Sequence, residues 1–158
     1  MTATAELMDI DNDFPSCDLD LRDFGGTLRF NGPVRTVAVD ADNGLVKAVL
    51  SEPGDGAVLV VDAGGSRSSA MVGDLIAAKA VENGWVGIVV NGVIRDSAAI
   101  AKIGIGLKAL GTNPRRSAKT GAGQRDVAVS FGGVEFEPGT WLYADEDGVI
   151  LTPAPVLD

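Results

Sequence analysis

The 158 residues carry 22 Asp and Glu against 13 Lys and Arg, a formal net charge of −9, with no histidine and one cysteine, Cys17. That balance offers no basic surface for phosphate contact and argues against direct nucleic-acid binding, and no apolar run is long enough to span a membrane. Without histidine and with one thiol, Ser–His triads, histidine general bases, zinc sites built on imidazole or thiolate, and internal disulfides are all excluded.

What remains is oxygen chemistry. A metal would be held by carboxylates, which points to magnesium, manganese or calcium, and acid–base work would fall to Asp, Glu, Lys, Tyr or a water on the metal. The N-terminus lacks the basic start and apolar run of a secretory signal, and a lone cysteine suits a reducing, cytoplasmic setting. Cys17 lies in the acidic run SCDLDLRD, which should raise its pKa and leave it unreactive.

In chain order, residues 5–10 read as a short helix with Thr4 as its cap, and 11–33 as irregular. Residues 34–39 alternate as a strand, 40–44 turn, and 45–50 form a short helix. Residues 57–63 are a buried apolar strand ending at Gly64-Gly65. Asp74 opens a helix over 75–83, stopped by Gly84, and 85–90 is a second apolar strand. A short helix over 97–102 starts at Asp96 or Ser97, a strand covers 105–110, and 113–125 is a basic, turn-rich loop. Strands at 127–131, 134–136, 140–144 and 149–152 close the chain, with Asp147-Gly148 as a hairpin turn. The expectation is one α/β domain over 1–158, with a βαβ core and an antiparallel, β-rich C-terminal part.

The βαβ unit carries the most informative spacing. Strand, loop, helix and strand imply parallel pairing, and ligands of such units sit beyond the carboxyl ends of the strands. Ten helical residues advance about 15 Å. Six strand residues run back about 20 Å. Arg95 and Asp96 should therefore return close to Asp74. The free backbone N–H groups around Asp74, Leu75 and Ile76 form an anion-binding helix start, with Arg95 as a second partner for a carboxylate or phosphate. The competing reading makes Asp74 an N-cap and Arg95-Asp96 a surface turn.

Other candidates read as solvated. Lys79, a conceivable Schiff-base lysine, sits on a helical A-A-K-A stretch. Arg115, Arg116, Lys119 and Arg125 form a local basic patch, either an attractor for an anionic substrate or a partner subunit or, as the preferred reading, a solvated loop, and Asp145, Glu146 and Asp147 mark a solvated hairpin tip. Gly104-x-Gly106 lacks the third glycine of a dinucleotide fingerprint.

Five segments in order, VLVVDAGGS (58–66), GDLIAAKAVENGWVGIVVNGVIRD (73–96), GIGLKALGTNP (104–114), VSFGGVEFEPG (129–139) and YADEDGVILTP (143–153), resemble the RraA-like family over nearly the whole length. The resemblance implies a swivelling β/β/α fold and a homotrimer. It also implies one of two functions. Some members are metal-dependent aldolases of 4-hydroxy-4-methyl-2-oxoglutarate or 4-carboxy-4-hydroxy-2-oxoadipate, often with oxaloacetate decarboxylase activity. Others bind ribonuclease E and inhibit it without catalysis. The aldolases pair an acidic residue with Arg-Asp twenty residues on, whereas the regulator carries no aspartate after the arginine. Asp74, Arg95 and Asp96 are all present here, which favours the lyase, with the ribonuclease regulator as the alternative.

By position, Asp96 resembles the ligand of a Mg²⁺ or Mn²⁺ cofactor, Asp74 the residue that holds water on the metal, and Arg95 the contact to substrate oxygens. The N–H groups of Gly73, Asp74, Leu75 and Ile76 resemble the cradle of the substrate's pyruvyl carboxylate, so the substrate implied is a small 2-keto dicarboxylic acid. Aldolase members also run further at the C-terminus, where an acidic residue reaches a neighbour's site, whereas this sequence closes on VILTPAPVLD. A methyltransferase function finds no glycine-rich adenosylmethionine loop to rest on.

Overall fold

The computed structural model describes residues 1–156. Its elements follow as α1 (Thr4–Ile10), β1 (Arg22–Asp23), β2 (Phe30–Ala38), α2 (Gly44–Leu50), β3 (Val58–Asp62), α3 (Asp74–Glu82) and β4 (Gly87–Ile94). After these come α4 (Ser97–Ile100), β5 (Gly106–Thr112), β6 (Gln124–Arg125), β7 (Val129–Phe131), β8 (Val134–Phe136), β9 (Trp141–Asp145) and β10 (Gly148–Thr152). The main sheet runs β1-β5-β4-β3-β2-β9-β10, with β6 on β2, while β7 and β8 form a separate ribbon. β2, β3, β4 and β5 are parallel neighbours, as the βαβ reading requires, and β9–β10 is antiparallel.

The apolar runs of β3 and β4 are continuous because both faces of the sheet are covered. Leu59, Val61, Ile88 and Val90 point to the side where α2, α3 and α4 contribute Val46, Val49, Ala77, Ala80 and Ile100. Val58, Val60 and Val89 point the other way, onto Phe131, Phe136, Leu142 and Leu151. Helices, main sheet and the second β layer therefore make three layers, which is the β/β/α arrangement expected.

β2 begins four residues earlier than predicted, because NGP reads as a turn in sequence. Residues 30–33 pair with β9 and residues 34–38 with β3, so one long strand serves two partners in succession. Phe30 explains two glycines: a Cβ at Gly87 or Gly106 would stand 2.2 or 2.0 Å from its ring. β1 and β6, two residues each, lay inside stretches read as irregular or loop. Lys108 of β5 is 2 % exposed, with Asp23 of β1 3.0 Å from its Nζ, so the short edge strand supplies the counter-charge for a buried ammonium.

The acidic hairpin tip is only partly solvated. Glu146 and Asp147 are exposed, and Glu146 pairs with Arg29 at 3.1 Å. Asp145 is 3 % exposed and accepts bonds from the Thr4 backbone N–H at 2.8 Å and the Thr4 hydroxyl at 2.7 Å. It thus caps α1 from 141 residues away, and Thr4 is the first helical residue rather than the cap. Burial pushes the Asp145 carboxyl up, but the bonds from Thr4 and Asp147 outweigh it and leave the group below its ordinary range. The two-residue turn is Glu146-Asp147, one position before the predicted one.

Candidate functional site

β4 continues past Val90, and this extension builds the site. Its register with β5 slips between Val90 and Val93, a bulge centred on Asn91-Gly92. β3 ends at Asp62, and the carbonyl of Asn91 accepts the N–H groups of Ala63 and Gly65, both at 3.1 Å. Beyond the bulge, residues 70–72 take the place of β3. Ala70 pairs in parallel with Val93, Met71 N–H donates to Val93 O at 2.9 Å, and Arg95 N–H donates to Val72 O at 3.0 Å. The other edge of Ala70 pairs with Arg116, and its N–H donates to Arg115 O at 2.8 Å. Three short segments thus lie side by side and deliver Gly73-Asp74, Arg95-Asp96 and Arg116 to one end of the sheet.

α3 starts there. Its first helical bond is Ala77 N–H to Gly73 O, 3.1 Å, which leaves the N–H groups of Leu75 and Ile76 without intrahelical acceptors. The Asp74 N–H is engaged, donating to Asp96 Oδ2 at 3.1 Å. The cradle expected over Gly73 to Ile76 therefore has one of its donors spent on Asp96. Asp96 itself adopts a left-handed conformation, φ 58° and ψ 38°, unusual for a residue with a side chain and concentrated at functional positions. Arg95 is half-buried, its Nη1 3.5 Å from Pro114 O.

All six residues singled out in sequence, Gly73, Asp74, Leu75, Ile76, Arg95 and Asp96, line one cleft of about 430 Å³. The wall also includes residues that sequence reasoning missed or read as solvated. Lys47, Lys79, Arg116 and Lys119 join Arg95 as cations, facing Asp74, Glu82 and Asp96. The basic patch divides: Arg116 and Lys119 reach the cleft, while Arg125 pairs with Glu52 at 2.7 Å. Among the described residues, none of the five cleft cations forms an ion pair.

The loop that carries Lys119 is clamped by Asp42. Its Oδ2 accepts the Thr120 N–H at 2.9 Å and the Thr120 hydroxyl, and its Oδ1 accepts the N–H groups of Gly44 at 2.9 Å and Gly121 at 3.2 Å. The Thr120 hydroxyl, followed by these backbone donors, holds the Asp42 carboxyl down to about 2. Next to it, Asn43 is 6 % exposed and also lines the cleft. An Asp-Asn-Gly turn gave no hint of this, because its role depends on a loop almost eighty residues downstream.

The carboxylates suit a hard cation. No group of three or more His, Cys, Asp or Glu side chains among the described residues is placed to hold a metal. Among the described residues Asp96 Oδ1 makes no hydrogen bond, and Asp74 stands at the same helix start. One or two carboxylates, with the remaining positions left to water and substrate, is the donor set of Mg²⁺ or Mn²⁺ rather than of a closed protein cage. Cys17 is no candidate: burial first, and then Asp18, raise its pKa above the ordinary thiol value.

No helix among the described residues is long and apolar enough to cross a membrane. The family model RraA-like (Aldolase/RraA) matches residues 4–151. The RNA-processing inhibitor RraA from Thermus thermophilis superposes with a TM-score of 0.96 at 44 % identity, over 99 % of this chain and 96 % of that one. A protein from Geobacillus kaustophilus HTA426, described as S-adenosylmethionine:2-dimethylmenaquinone methyltransferase, gives 0.94 at 44 % identity over 98 % and 97 %. RraAS2 of Streptomyces coelicolor, from the RNase ES inhibitor RraA protein family, gives 0.77 at 31 % identity over 96 % and 79 %. The chain is a member of the RraA-like family, which holds both aldolases and ribonuclease inhibitors.

Proposed function

We propose that the protein is a divalent-cation-dependent carbon–carbon lyase acting on small 2-keto dicarboxylic acids. The substrate class is that of 4-hydroxy-4-methyl-2-oxoglutarate, with oxaloacetate decarboxylation as a companion activity. One observation carries the reading. In a chain of net charge −9, five cations that form no ion pair among the described residues converge on the cleft where Asp74, Arg95 and Asp96 meet a helix start. Such a site attracts an anion with more than one charged end.

The residues divide the work. The N–H groups of Leu75 and Ile76, at the positive end of α3, hold the carboxylate beside the keto group. Arg95 binds the adjoining oxygens and offsets the negative charge that develops there as the carbon–carbon bond breaks. Asp96 holds the cation, and Asp74 orients water and moves the proton. Mg²⁺ or Mn²⁺, when bound, supplies Lewis-acid stabilisation of the enolate charge. Decarboxylation of oxaloacetate develops the same charge on the same pyruvyl fragment, so one site serves both reactions.

The test is pyruvate release from both substrates with Mg²⁺, with Mn²⁺ and with chelator. Metal-dependent turnover should fall by at least about a hundredfold in Asp96→Ala, as expected when charge stabilisation at the reacting centre is lost. Unchanged turnover in that variant would place the chemistry elsewhere. Assembly as a homotrimer rests on the family resemblance, and light scattering should then return three times the 16.2 kDa chain mass.

A second reading has its own support in the likeness to RraA of Thermus thermophilis and to RraAS2. On that reading the acidic surface docks on a ribonuclease of the E type and slows it. Inhibition of such an enzyme at micromolar protein, undiminished in Asp96→Ala, would favour it over the lyase.

A further inference from the structure

We infer that Lys47 and Lys79 form the subsite for the substrate's remote carboxylate, and that holding it biases the centre toward aldol cleavage and against decarboxylation. The inference rests on the lyase reading above and deepens it. Both lysines are exposed residues on the wall of the cleft, and neither forms an ion pair among the described residues. The cleft follows one face of α3: Leu75, Ala78, Lys79 and Glu82 line it at the i, i+3, i+4, i+7 spacing of a single helical face. Lys79 lies about 6 Å along the axis from Leu75, whose N–H marks the dock of the pyruvyl carboxylate. Helical side chains lean toward the N-terminus, which brings the Lys79 stem back over that dock. Lys47 adds a second ammonium from α2, the helix packed against α3. Glu82, the last residue of α3, sets a negative charge beyond them. The carboxylates of a five-carbon 2-keto diacid are four bonds apart, about 5 Å, so the second one falls on the lysines and short of Glu82. Arg95 and Arg116 come off segments beside Gly73-Asp74 and belong to the reacting end.

The two reactions treat that carboxylate differently. In aldol cleavage the C3–C4 electron pair passes into the enolate of pyruvate, and the C4 hydroxyl gives up its proton and becomes a ketone. The carboxylate on C4 leaves as it came, still charged. In oxaloacetate the same pair passes into the same enolate, but the remote carboxylate itself departs as neutral CO2. In both, the enolate then takes up a proton and becomes pyruvate. Two ammonium groups therefore bind the ground and transition states of aldol cleavage alike. In decarboxylation they bind a charge that the transition state is losing, which lowers the ground state and slows the step.

The measurement is kcat and KM, taken separately, for 4-hydroxy-4-methyl-2-oxoglutarate and for oxaloacetate at fixed ionic strength. The double variant Lys47→Met/Lys79→Met keeps the apolar stems at exposed positions and removes only the charges. Its KM for the hydroxy diacid should rise about tenfold while kcat holds. For oxaloacetate KM should rise too, but kcat should climb, by about 3- to 10-fold. Lys47→Arg/Lys79→Arg, which restores the charges, should return both patterns toward wild type. An unchanged KM for the hydroxy diacid in the Met variant would overturn the inference. So would a kcat that falls for both substrates, because the lysines would then act on the shared enolate. Wild-type turnover of oxaloacetate alone sinks the inference and spares the cation-dependent lyase, whereas no turnover of either substrate sinks both.

Discussion

At Gly73 the missing side chain is the functional feature. A Cβ built there would stand 2.8 Å from Asp96 Oδ2 and 3.5 Å from Arg95 Nε, so the carboxylate occupies the space a methyl group would need. Its backbone is extended, with φ −118°, so the constraint is contact and not conformation. Gly73→Ala should fold normally, because its backbone suits any residue. It should also displace Asp96 and cost about a hundredfold in metal-dependent pyruvate release, the loss a 1 Å misplacement can bring. Full activity in Gly73→Ala would mean that Asp96 need not lie across the helix start. The trio Asp74, Arg95 and Asp96 was legible in sequence because one helix and one strand of known pitch connect its members. Asn43, Lys47, Arg116 and Lys119 were not, because their place depends on contacts between segments far apart. Asp145 was misread for the same reason: only the fold brings Thr4 to it.

At the scale of elements, the cleft's second wall depends on the clamp that ties α2 to the loop after β5. Asp42 has an ordinary pKa of 3.8 and is held near 2 in the fold. A carboxyl lowered on folding stabilises the native state fully above its unfolded value and loses that contribution as pH falls through the folded one. The stability gap between wild type and Asp42→Asn should therefore be constant at neutral pH, shrink below about pH 4 and close near pH 2, read by denaturant melts across that range. A gap that persists undiminished at pH 2 would show that the clamp works without its charge. The same scale shows what sequence period can and cannot give. β3, α3 and the start of β4 carried strong apolar signals. The end of β4 was missed because Asn91-Gly92 resembles a turn, and there the chain bulges without leaving the sheet.

At the scale of the molecule, two electrostatic effects oppose each other. The net charge of −9 repels a dianion, and the cleft attracts it. Salt screens both, over a Debye length of about 8 Å at physiological ionic strength. If the cleft governs encounter, kcat/KM for the dicarboxylate should fall as salt is raised; if the net charge governs, it should rise. The slope against ionic strength, at fixed metal concentration, decides between them. The three-layer order has a further consequence through the Asp145 cap on α1. A seven-residue helix is too short to persist by itself, and its N-terminus is capped by Asp145 of β9. At about 5–20 residues per second of synthesis, the 141 residues that follow Thr4 up to and including Asp145 take roughly 7 to 28 seconds to emerge. On the ribosome α1 must therefore wait for β9 to receive this cap, and a nascent chain halted between the two would carry the helix without it.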